Sequence, residues 1–339
     1  MKKALITGIT GQDGSYLAEF LLKKNYQVHG LRRYSSTENR LINLQNILNN
    51  KDLLKNFHLH YGDITDTASI YRIIKTTKPN EIYNLAAQSH VHASFQVPEY
   101  TTQVDAVSQL RVIEVVKQIN KKIKIYQAST SELFGNSNKK YQNENTILSP
   151  VSPYSAAKLY GFYISKVYRN AYNMFITNGI LFNHESPRRG PGFVTRKITI
   201  GIKKIINGED HCLLIGNLDA KRDWGYAKEY VETMWQMLQL KKADDFVIST
   251  GKTYSVREFI EEAFGIVNIK IKWSGSGLNE KGYNSKTKKI LVKVDPYYFR
   301  PNEVDYLRGD SSKAKRILGW NPKTDFRQLV RIMMLEELK

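Results

Sequence analysis

Short apolar segments alternate with longer amphipathic ones through the first half of this 339-residue chain. The apolar segments, predicted as strands, are residues 3–8, 27–32, 57–61, 81–85, 123–128 and 175–181. The segments predicted as helices are 14–24, 67–77, 106–119 and 154–172. Strands that alternate with helices form a parallel sheet covered on both faces. The predicted fold class is therefore α/β, a doubly wound parallel Rossmann sheet.

Beyond residue 182 the alternation becomes irregular, and glycine and proline separate shorter elements. Residues 246–250 are apolar and suit one more strand of the main sheet. The smaller part of the chain is therefore expected to consist of interleaved segments. We predict a Rossmann domain of residues 1–182 plus about 223–251, and a smaller α/β domain of about 183–222 plus 252–339.

The composition is that of an ordinary globular protein, with 41% hydrophobic and 24% charged residues. The sequence contains neither an apolar run long enough to cross a bilayer nor a secretion signal at its start. A cytoplasmic protein with no membrane partner is therefore expected. Cys212 is the only cysteine, which excludes an intrachain disulfide and a thiolate metal site.

A net charge of +19 is compatible with a polyanionic partner. However, the lysines are spread along the chain and never form a run of five like charges, so no nucleic-acid partner is expected. The pairs His58/His60 and His90/His92 alternate as strand neighbours do. Neither pair has a third ligand at a recognisable spacing, so no metal is expected.

Three glycines follow the first predicted strand. Gly8 permits a tight turn, Gly11 lets backbone N–H groups approach a pyrophosphate at a helix N-terminus, and Gly14 allows close packing of the helix. The spacing alone is a weak signal, but its position between a strand and a helix predicts a dinucleotide site. The expected cofactor-binding residues here are Gly8, Thr10, Gly11, Gln12, Asp13 and Gly14.

The second predicted strand ends in Arg32 and Arg33. A cofactor with a free 2′-hydroxyl would usually meet an acidic residue at this point. Guanidinium groups suit a 2′-phosphate instead, so the sequence favours NADP over NAD, with Arg33 as a ligand. Residues after the third and fourth strands are expected along the same cofactor, namely Asp63, Ile64, Leu85, Ala86, Ala87, Gln88 and Ser89.

Tyr154 and Lys158 are four residues apart on a predicted helix, so they share one face. The ammonium group is expected to lower the pKa of the phenol, which is about 10 when unperturbed, and to allow proton transfer near neutrality. Thr130 and Glu132 follow the fifth strand and can face the same cleft. A carbonyl reductase needs only the hydroxyl, the phenol and the lysine, so Glu132 indicates a second proton transfer.

The densest group of polar side chains is the loop Asn183–Gly190, which follows the sixth predicted strand. It carries an amide, an imidazole, a carboxylate and two guanidinium groups. Packing alone rarely requires such a density of recognition groups. The loop therefore indicates a site for an anionic ligand.

Several motifs together resemble a known family. The glycine motif with Tyr154 and Lys158 is similar to the short-chain dehydrogenases/reductases. The resemblance becomes close to one extended branch, the GDP-mannose 4,6-dehydratase family, and covers essentially the whole chain. The motifs that carry it are Gly8–Gly14, Leu85–Ser89, Ser129–Gly135, Tyr154–Lys158, Asn183–Gly190, Arg222–Gly225 and Arg300-Pro301-x-Glu303.

This resemblance implies a hydro-lyase that converts GDP-mannose to GDP-4-dehydro-6-deoxy-mannose without net oxidation. NADP⁺ would take a hydride from C4 of the mannose while Tyr154 accepts the hydroxyl proton. Glu132 would remove the C5 proton, water would leave from C6, and the hydride would return to C6. Thr130 would hydrogen-bond near O4, and Lys158 would orient the nicotinamide ribose and tune Tyr154.

The matched motifs imply further ligands, with NADP on the Rossmann domain and the nucleotide sugar on the smaller one. On the cofactor side the family places the segment 85–89 with Lys158, Tyr100, His184 and Arg189. On the GDP-mannose side it places Ser131, Asn183, Lys197, Arg222, Arg300 and Glu303. A homodimer or homotetramer is also implied.

The chain departs from the family pattern at Pro191-Gly192, next to the sugar, and at Tyr34–Asn39, a region that helps to pair subunits. Three alternatives stay open. They are another nucleotide-sugar dehydratase or epimerase of the same family, a non-catalytic NADP-binding sensor, and a nucleic-acid-binding protein on a Rossmann scaffold. Glu132 preceded by Ser131 counts against the first, the presence of Tyr154 and Lys158 counts against the second, and only the net charge favours the third.

Overall fold

The computed structural model describes residues 1–34, 38–299 and 302–339. In chain order, the strands are β1 Lys3–Thr7, β2 Gln27–Arg32, β3 Phe57–Tyr61, β4 Glu81–Asn84, β5 Lys124–Thr130, β6 Ile176–Leu181, β7 His184–Glu185, β8 Leu213–Ile215, β9 Lys221–Arg222, β10 Gly225–Tyr226, β11 Phe246–Ile248, β12 Tyr254–Ser255, β13 Ile271–Ser274, β14 Lys281–Asn284 and β15 Ile290–Val294.

The helices are α1 Gln12–Lys23, α2 Gln45–Leu48, α3 Lys51–Leu54, α4 Thr67–Thr77, α5 Val91–Gln96, α6 Pro98–Thr102, α7 Ser108–Ile119, α8 Pro153–Tyr172, α9 Val194–Ile206, α10 Ala227–Gln239, α11 Val256–Ile266, α12 Ser312–Leu318 and α13 Phe326–Leu338. A π-helical turn, Gln103–Val107, leads directly into α7. Short 3₁₀ helices span Glu38–Leu44, Ser131–Phe134, Gly277–Asn279 and Pro296–Tyr298.

Seven parallel strands form the main sheet in the order β11-β6-β5-β4-β1-β2-β3. Strands β4 and β6 are buried throughout and β1 and β5 nearly so, as expected when helices cover both faces of a parallel sheet. The predicted doubly wound α/β fold is confirmed, including the additional strand that begins at residue 246. Since parallel strands end at the same edge, Thr7, Asn84, Thr130 and Leu181 bring their following loops together.

The smaller part of the molecule has its own apolar core around a four-stranded sheet in the order β13-β14-β15-β8. Helices α9, α11 and α13 pack in this core, with Phe259 and Met334 fully buried. Helix α12 and Trp320 instead pack in the core of the main sheet, against α10 and β11. Residues 312–320 therefore pack in the core of the main sheet, although the sequence analysis assigned residues 252–339 to the smaller domain.

Two short strand pairs connect the motif-bearing loops. β7 pairs in parallel with β10, so His184 lies opposite Gly225. β9 pairs antiparallel with β12, so Arg222 lies opposite Tyr254. In the part of the chain that the structure describes, no helix is both long and apolar enough to span a membrane.

The central strand β4 gives a direct test of the assigned core. Ile82 is fully buried, so Ile82→Ala should lower the free energy of unfolding by about 2–5 kcal/mol, because it leaves a cavity. Ile147→Ala makes the same chemical change at a residue that is 85% exposed and should alter stability by less than about 0.5 kcal/mol. Urea denaturation followed by circular dichroism measures both. Equal losses would contradict the assignment of β4 to the core.

Candidate active site

A cavity of about 880 Å³ opens at the carboxyl ends of the main-sheet strands, between the two cores. It collects almost all of the predicted site residues. Those that line it are Gly8, Thr10, Gly11, Gln12, Asp13, Gly14, Arg33, Asp63, Ile64, Leu85, Ala86, Ala87, Ser89, Tyr100, Thr130, Ser131, Glu132, Tyr154, Lys158, Asn183, His184, Arg189, Lys197, Arg222 and Glu303. Gln88 does not line the cavity, and Arg300 lies outside the described residues.

The glycine loop has the close contacts that its sequence predicts. Gly8 has a φ of +68°, and a Cβ there would lie 2.9 Å from the backbone nitrogen of Ala86. A Cβ on Gly14 would lie 2.3 Å from the carbonyl oxygen of Gly8. Gly11 precedes α1 and offers no side chain to cap it, so the N–H groups of the first turn are left for another acceptor. This cradle fits a phosphate group.

The rim beside the cradle holds Arg33, whose Nη1 donates to the Tyr100 hydroxyl at 2.5 Å. Both side chains are exposed and line the cavity. Asp63 also lines the cavity, and its Oδ1 accepts from the Thr65 N–H at 2.8 Å and from the Thr65 hydroxyl at 2.7 Å. A cationic, aromatic rim of this kind suits a phosphate attached to a nucleoside.

The start of α8 places Tyr154 and Lys158 in the cavity. Ser152 and Ser155 cap the helix reciprocally, with the Ser155 N–H donating to Ser152 Oγ at 3.1 Å. Pro153 occupies the first turn, where its missing N–H costs no helical hydrogen bond. Tyr154 and Lys158 are 7% and 3% exposed, so both are nearly removed from bulk water.

The end of β5 supplies the second half of this centre. Thr130 is the last residue of the strand, and its hydroxyl accepts from the Glu132 N–H at 3.2 Å. This contact caps the 3₁₀ turn Ser131–Phe134 and turns Glu132 into the same cavity as Tyr154. Thr130 also hydrogen-bonds to Tyr154. A hydroxyl, a carboxylate, a phenol and an ammonium group therefore converge on one volume.

The expectation that Lys158 lowers the pKa of Tyr154 is wrong for this structure. Burial raises the pKa of Tyr154 above its usual value, and the charges of Asp105 and Glu132 act in the same direction. The Thr130 hydrogen bond and the charge of Arg189 only partly oppose them. Lys158 stays 5.9 Å from the centre of the Tyr154 ring because its ammonium group donates to the Ala128 carbonyl at 3.2 Å.

The sequence interpretation missed Asp105, which lies 3.6 Å from the Lys158 ammonium group. Its carboxylate accepts from the Gln88 backbone N–H at 3.2 Å. The Gln88 side chain does not line the cavity, because its amide donates to the Thr101 hydroxyl at 3.1 Å and accepts from the His90 N–H at 2.9 Å. Asp105 stands just before the predicted helix of residues 106–119, where an acidic residue reads as an ordinary exposed helix start. Only the π turn, which sequence spacing does not reveal, directs it inward.

The loop after β6 is attached to α1. His184 Nε2 lies 2.8 Å from Asp13 Oδ2, and His184 Nδ1 lies 2.7 Å from the Phe182 carbonyl oxygen. Burial opposes ionisation of Asp13, but the charge and hydrogen bond of His184 outweigh it and lower the pKa of Asp13. The His184 ring stacks on Tyr230 at 4.8 Å between centroids. Both ring nitrogens thus have protein partners, and the histidine orders the loop.

The two arginines of this loop have different surroundings. Arg188 donates to Glu19 at 2.5 Å and to Ser15 at 3.1 Å, and its guanidinium group covers the Tyr16 ring. Arg188 therefore braces the loop against α1 and does not line the cavity. Arg189 lines the cavity, with its Nε 3.2 Å from Glu185. Of the two arginines in the loop, only Arg189, the one predicted as a ligand residue, lines the cavity.

Lys197 and Asn183 line the far end of the cavity. Lys197 Nζ and Asn183 Oδ1 are buried, and neither has a hydrogen-bond partner among residues 1–34, 38–299 and 302–339. Burial lowers the pKa of Lys197 to about 8, with only Asp295 raising it. Nearby, the Gly192 carbonyl lies 3.2 Å from His90 Nε2, so the divergent Pro191-Gly192 segment is held at the cavity wall.

Arg222 is aimed at the same end by the segment that follows it. Its Nη2 donates to Glu303 at 2.8 Å. The adjacent Asp223 is fully buried and accepts from the Thr250 N–H at 2.8 Å and the Gly309 N–H at 3.3 Å. These contacts hold the backbone next to Arg222, which the sequence analysis predicted as a substrate ligand, whereas Asp223 was named only as part of the motif Arg222–Gly225.

The histidine pairs have partners within the protein. His60 Nε2 lies 3.0 Å from His29 Nδ1, and His58 Nε2 lies 3.0 Å from Gln27 Nε2. No group of three or more His, Cys, Asp or Glu side chains arranged to hold a metal ion is present in the described ranges.

Comparison with known proteins gives a consistent result over the whole chain. A family model described as GDP-mannose 4,6 dehydratase matches residues 5–333. The chain is 53% identical over 342 residues to a GDP-mannose 4,6 dehydratase of Drosophila melanogaster, which covers 100% of this chain and 86% of that protein. It is 53% identical over 335 residues to a Homo sapiens protein of the same name, covering 98% and 90%.

Solved structures of lower similarity share the fold. A dTDP-glucose 4,6-dehydratase from Bacillus anthracis, in complex with NAD, has a TM-score of 0.80 at 20% identity and covers 99% of this chain and 96% of that one. A UDP-glucose 4-epimerase from Thermus thermophilus, also in complex with NAD, has a TM-score of 0.78 at 20% identity, with coverage of 99% and 98%.

The contact between the β10 backbone and Tyr230 can be tested with two matched glycines. A Cβ at Gly225 would lie 2.3 Å from Tyr230 Cε2, so Gly225→Ala should displace the ring that stacks on His184 and destabilise the protein by about 1–3 kcal/mol. Gly265→Ala, in α11, meets nothing within 4 Å and should leave stability unchanged or raise it by up to about 1 kcal/mol. Thermal unfolding midpoints compare them. An unchanged midpoint for Gly225→Ala would exclude the contact.

Proposed function

The chain belongs to the GDP-mannose 4,6-dehydratase family, and we propose that it converts GDP-mannose to GDP-4-dehydro-6-deoxy-mannose as a hydro-lyase. One observation carries this proposal. Thr130, Glu132, Tyr154 and Lys158 line one cavity that has a phosphate cradle at one end and, at the other, buried polar atoms of Lys197 and Asn183 without a hydrogen-bond partner among the described residues. This arrangement supplies a base for each of two proton abstractions, which simple carbonyl reduction does not need.

A nicotinamide dinucleotide fits the near end of the cavity, where close packing at Gly8 and Gly14 leaves room for a pyrophosphate at the uncapped first turn of α1. We propose NADP as the form bound, because Arg33 beside Tyr100 offers a cation and no carboxylate to the adenosine ribose. When bound, the oxidised cofactor accepts a hydride from C4 of the sugar and later returns it to C6. Lys158 lies deep enough in the same cavity to reach the nicotinamide ribose.

The protein moves two protons in this scheme. Tyr154 accepts the proton of the C4 hydroxyl, and Thr130, which is hydrogen-bonded to it, is placed to hold O4. Because burial raises the pKa of Tyr154, the step requires compensating positive charge, and Arg189 is the cation that lowers this pKa. Once C4 is a ketone, the C5 proton becomes acidic. Glu132 removes it, and the carboxylic acid so formed can protonate the hydroxyl that leaves C6 as water. When the hydride has reached C6, Tyr154 gives the proton that it took from O4 to C5, which restores the ionised phenol.

We propose that the far end of the cavity holds the GDP group. Lys197 and Arg222 line that end and would face the diphosphate, while Asn183 faces the sugar side. The Lys197 ammonium group lies over the Tyr298 ring, 2.8 Å from its centroid, and has no hydrogen-bond acceptor in the described part of the chain. A diphosphate oxygen would supply that acceptor and offset the cost of burying the charge. Glu303, which already accepts from Arg222, is placed to accept from a ribose hydroxyl or from guanine. Arg300 belongs to this proposal on the family motif alone.

We also propose a homo-oligomer that uses the outer face of α8. Tyr160, Tyr163 and Val167 are 42%, 51% and 53% exposed and are spaced three and four residues apart on this helix. Side chains at that spacing form one surface stripe. Exposed apolar stripes of this kind mark protein contacts, and a second copy of the same helix would cover it symmetrically.

The central experiment offers the purified protein a mixture of GDP-mannose, dTDP-glucose and UDP-glucose with catalytic NADP⁺. The product should be a GDP-linked 4-keto-6-deoxy-hexose, lighter than its substrate by one water, with no net consumption of reduced cofactor. Mass spectrometry identifies both the nucleotide and the loss of water. Turnover of the dTDP or UDP sugar with GDP-mannose left intact would refute the proposed substrate, and an epimer of unchanged mass would refute the proposed reaction.

Glu132→Gln separates the two proton transfers. The amide cannot accept the C5 proton, so dehydration should slow by about 10²–10⁴-fold. Reduced cofactor should still form in a single turnover, because Tyr154 and Thr130 remain in place. Glu232→Gln, the same change on the exposed side of α10, is the control and should retain full activity. Full dehydration by Glu132→Gln would contradict the role given to this carboxylate.

Arg33→Met tests the cofactor choice. Loss of a guanidinium–phosphate contact should weaken NADP⁺ binding by about 1–3 kcal/mol, or roughly 5–150-fold, and leave NAD⁺ binding nearly unchanged. Arg331→Met removes the same charge from an exposed site on α13, outside the cavity, and should alter neither affinity. Isothermal titration with each cofactor gives the dissociation constants. Equal weakening for both cofactors by Arg33→Met would argue against 2′-phosphate recognition.

A further inference from the structure

Asp105 is a buried acidic residue that the proposed reaction does not use. Its side chain is fully buried, and it lies in the π turn Gln103–Val107 between α6 and α7. π turns inside helices are rare and often accompany functional residues. The main chain here also lies close to α8, since a Cβ on Gly161 would be 3.4 Å from the Asp105 carbonyl oxygen. The turn therefore places a carboxylate beside the helix that carries Tyr154 and Lys158.

The contacts of Asp105 all lead to the active site. Its Oδ1 lies 3.6 Å from Lys158 Nζ and accepts from the Gln88 N–H at 3.2 Å. Its Oδ2 is buried without a hydrogen-bond partner in the described part of the chain. Lys158 Nζ donates to the Ala128 carbonyl at 3.2 Å. The ammonium group is thus held from two sides, by the end of β5 and by the π turn.

Burial of the Asp105 carboxylate lowers the stability of the fold, because the charged group loses its hydration. Desolvation raises the pKa of Asp105 to about 7, although Lys158 and the Gln88 N–H act to lower it. An asparagine could accept the Gln88 N–H equally well without a buried charge. What an asparagine could not supply is the negative charge that faces Lys158. The charge is therefore directed at Lys158 and is not required by the backbone contact.

We propose that Asp105 is a positioning residue of the reaction, whose carboxylate holds Lys158 in place beside Tyr154 and joins it to the cofactor-lining segment 85–89 through Gln88. This inference rests on the proposed function, because it assigns Lys158 and Tyr154 to catalysis. Asp105 acts through Lys158 and does not line the cavity.

The charge of Asp105 also reaches Tyr154. It acts to raise the pKa of the phenol, as Glu132 does, while Arg189 and the Thr130 hydrogen bond act to lower it. Removing the negative charge at residue 105 removes one of the contributions that raise the pKa of Tyr154. It also leaves the positive charge of Lys158 without its neighbouring carboxylate. Both changes favour the ionised phenol. The acid limb of the kcat profile, which requires ionised Tyr154, should then move to lower pH.

Asp105→Asn is the test, since the amide keeps an acceptor for Gln88 and removes the charge. With GDP-mannose as substrate, kcat at the pH optimum should fall about 10–100-fold because Lys158 is no longer held, while KM changes less than about threefold. The acid limb should shift to lower pH. Asp52→Asn, the same change at a fully exposed carboxylate, should reproduce the wild-type profile. An inactive wild-type protein would refute the proposed function and not this inference.

Two outcomes would overturn the inference while wild-type activity is intact. One is Asp105→Asn with unchanged kcat and an unchanged profile. The other is a kcat reduced equally at every pH with a lowered thermal midpoint, which is the pattern of a purely structural carboxylate. If Asp105→Asn gives no folded protein, Asp105→Ser, which keeps a hydroxyl acceptor and leaves room for water beside Lys158, is measured in the same way. Failure of both variants to fold would assign Asp105 to stability alone.

Discussion

The loop after β6 is attached to helix α1, and this attachment fixes the position of the loop relative to the glycine-rich turn before the helix. His184 contacts Asp13 at 2.8 Å, and Gln12 donates to the His184 carbonyl at 3.0 Å, so the loop after β6 is fixed to the first turn of α1. Ser186 and Arg188 add contacts to Gln12 and Glu19 on the same helix. Because that turn also forms the phosphate cradle, these contacts hold the loop Asn183–Gly190 next to the cradle.

The electrostatics of the cavity are set by three cations and a carboxylate on its wall. Arg189, Lys197, Arg222 and Glu132 all line it. In the proposed function, the cations bind the diphosphate groups of the cofactor and of the sugar nucleotide. They account for only a small part of the +19 net charge, since lysines are spread along the whole sequence.

Sequence periodicity predicted the main sheet well because buried parallel strands are continuous apolar runs. Strands β2 and β3 and helix α4 have the predicted bounds, and the close approach of Gly14 to the Gly8 carbonyl oxygen is the kind its spacing indicates. The short helices α5 and α6 had no predicted counterpart, since they hold too few residues to show a helical period. The local sequence pattern thus predicts the main sheet and the residues that follow its strands.

What sequence could not supply is the direction of side chains and the extent of their burial. The two neighbouring arginines Arg188 and Arg189 read alike in sequence and face different partners. The pKa of Tyr154 was expected to fall because Lys158 is four residues away, yet burial raises it and the lysine is held by Asp105 and Ala128. The surroundings of the two arginines and the wrong expectation for the Tyr154 pKa both depend on tertiary contacts between segments far apart in sequence.

In the proposed reaction, a hydride taken from C4 stays in the same cavity and returns to C6 of the same sugar. The most direct test uses GDP-mannose deuterated at C4, turned over together with an equal amount of undeuterated, carbon-13-enriched GDP-mannose. Deuterium should appear at C6 of the product, only in molecules without carbon-13, and C5 should carry hydrogen from solvent. Deuterium that is lost to solvent, or that appears in the carbon-13 product, would contradict a closed transfer within one active site.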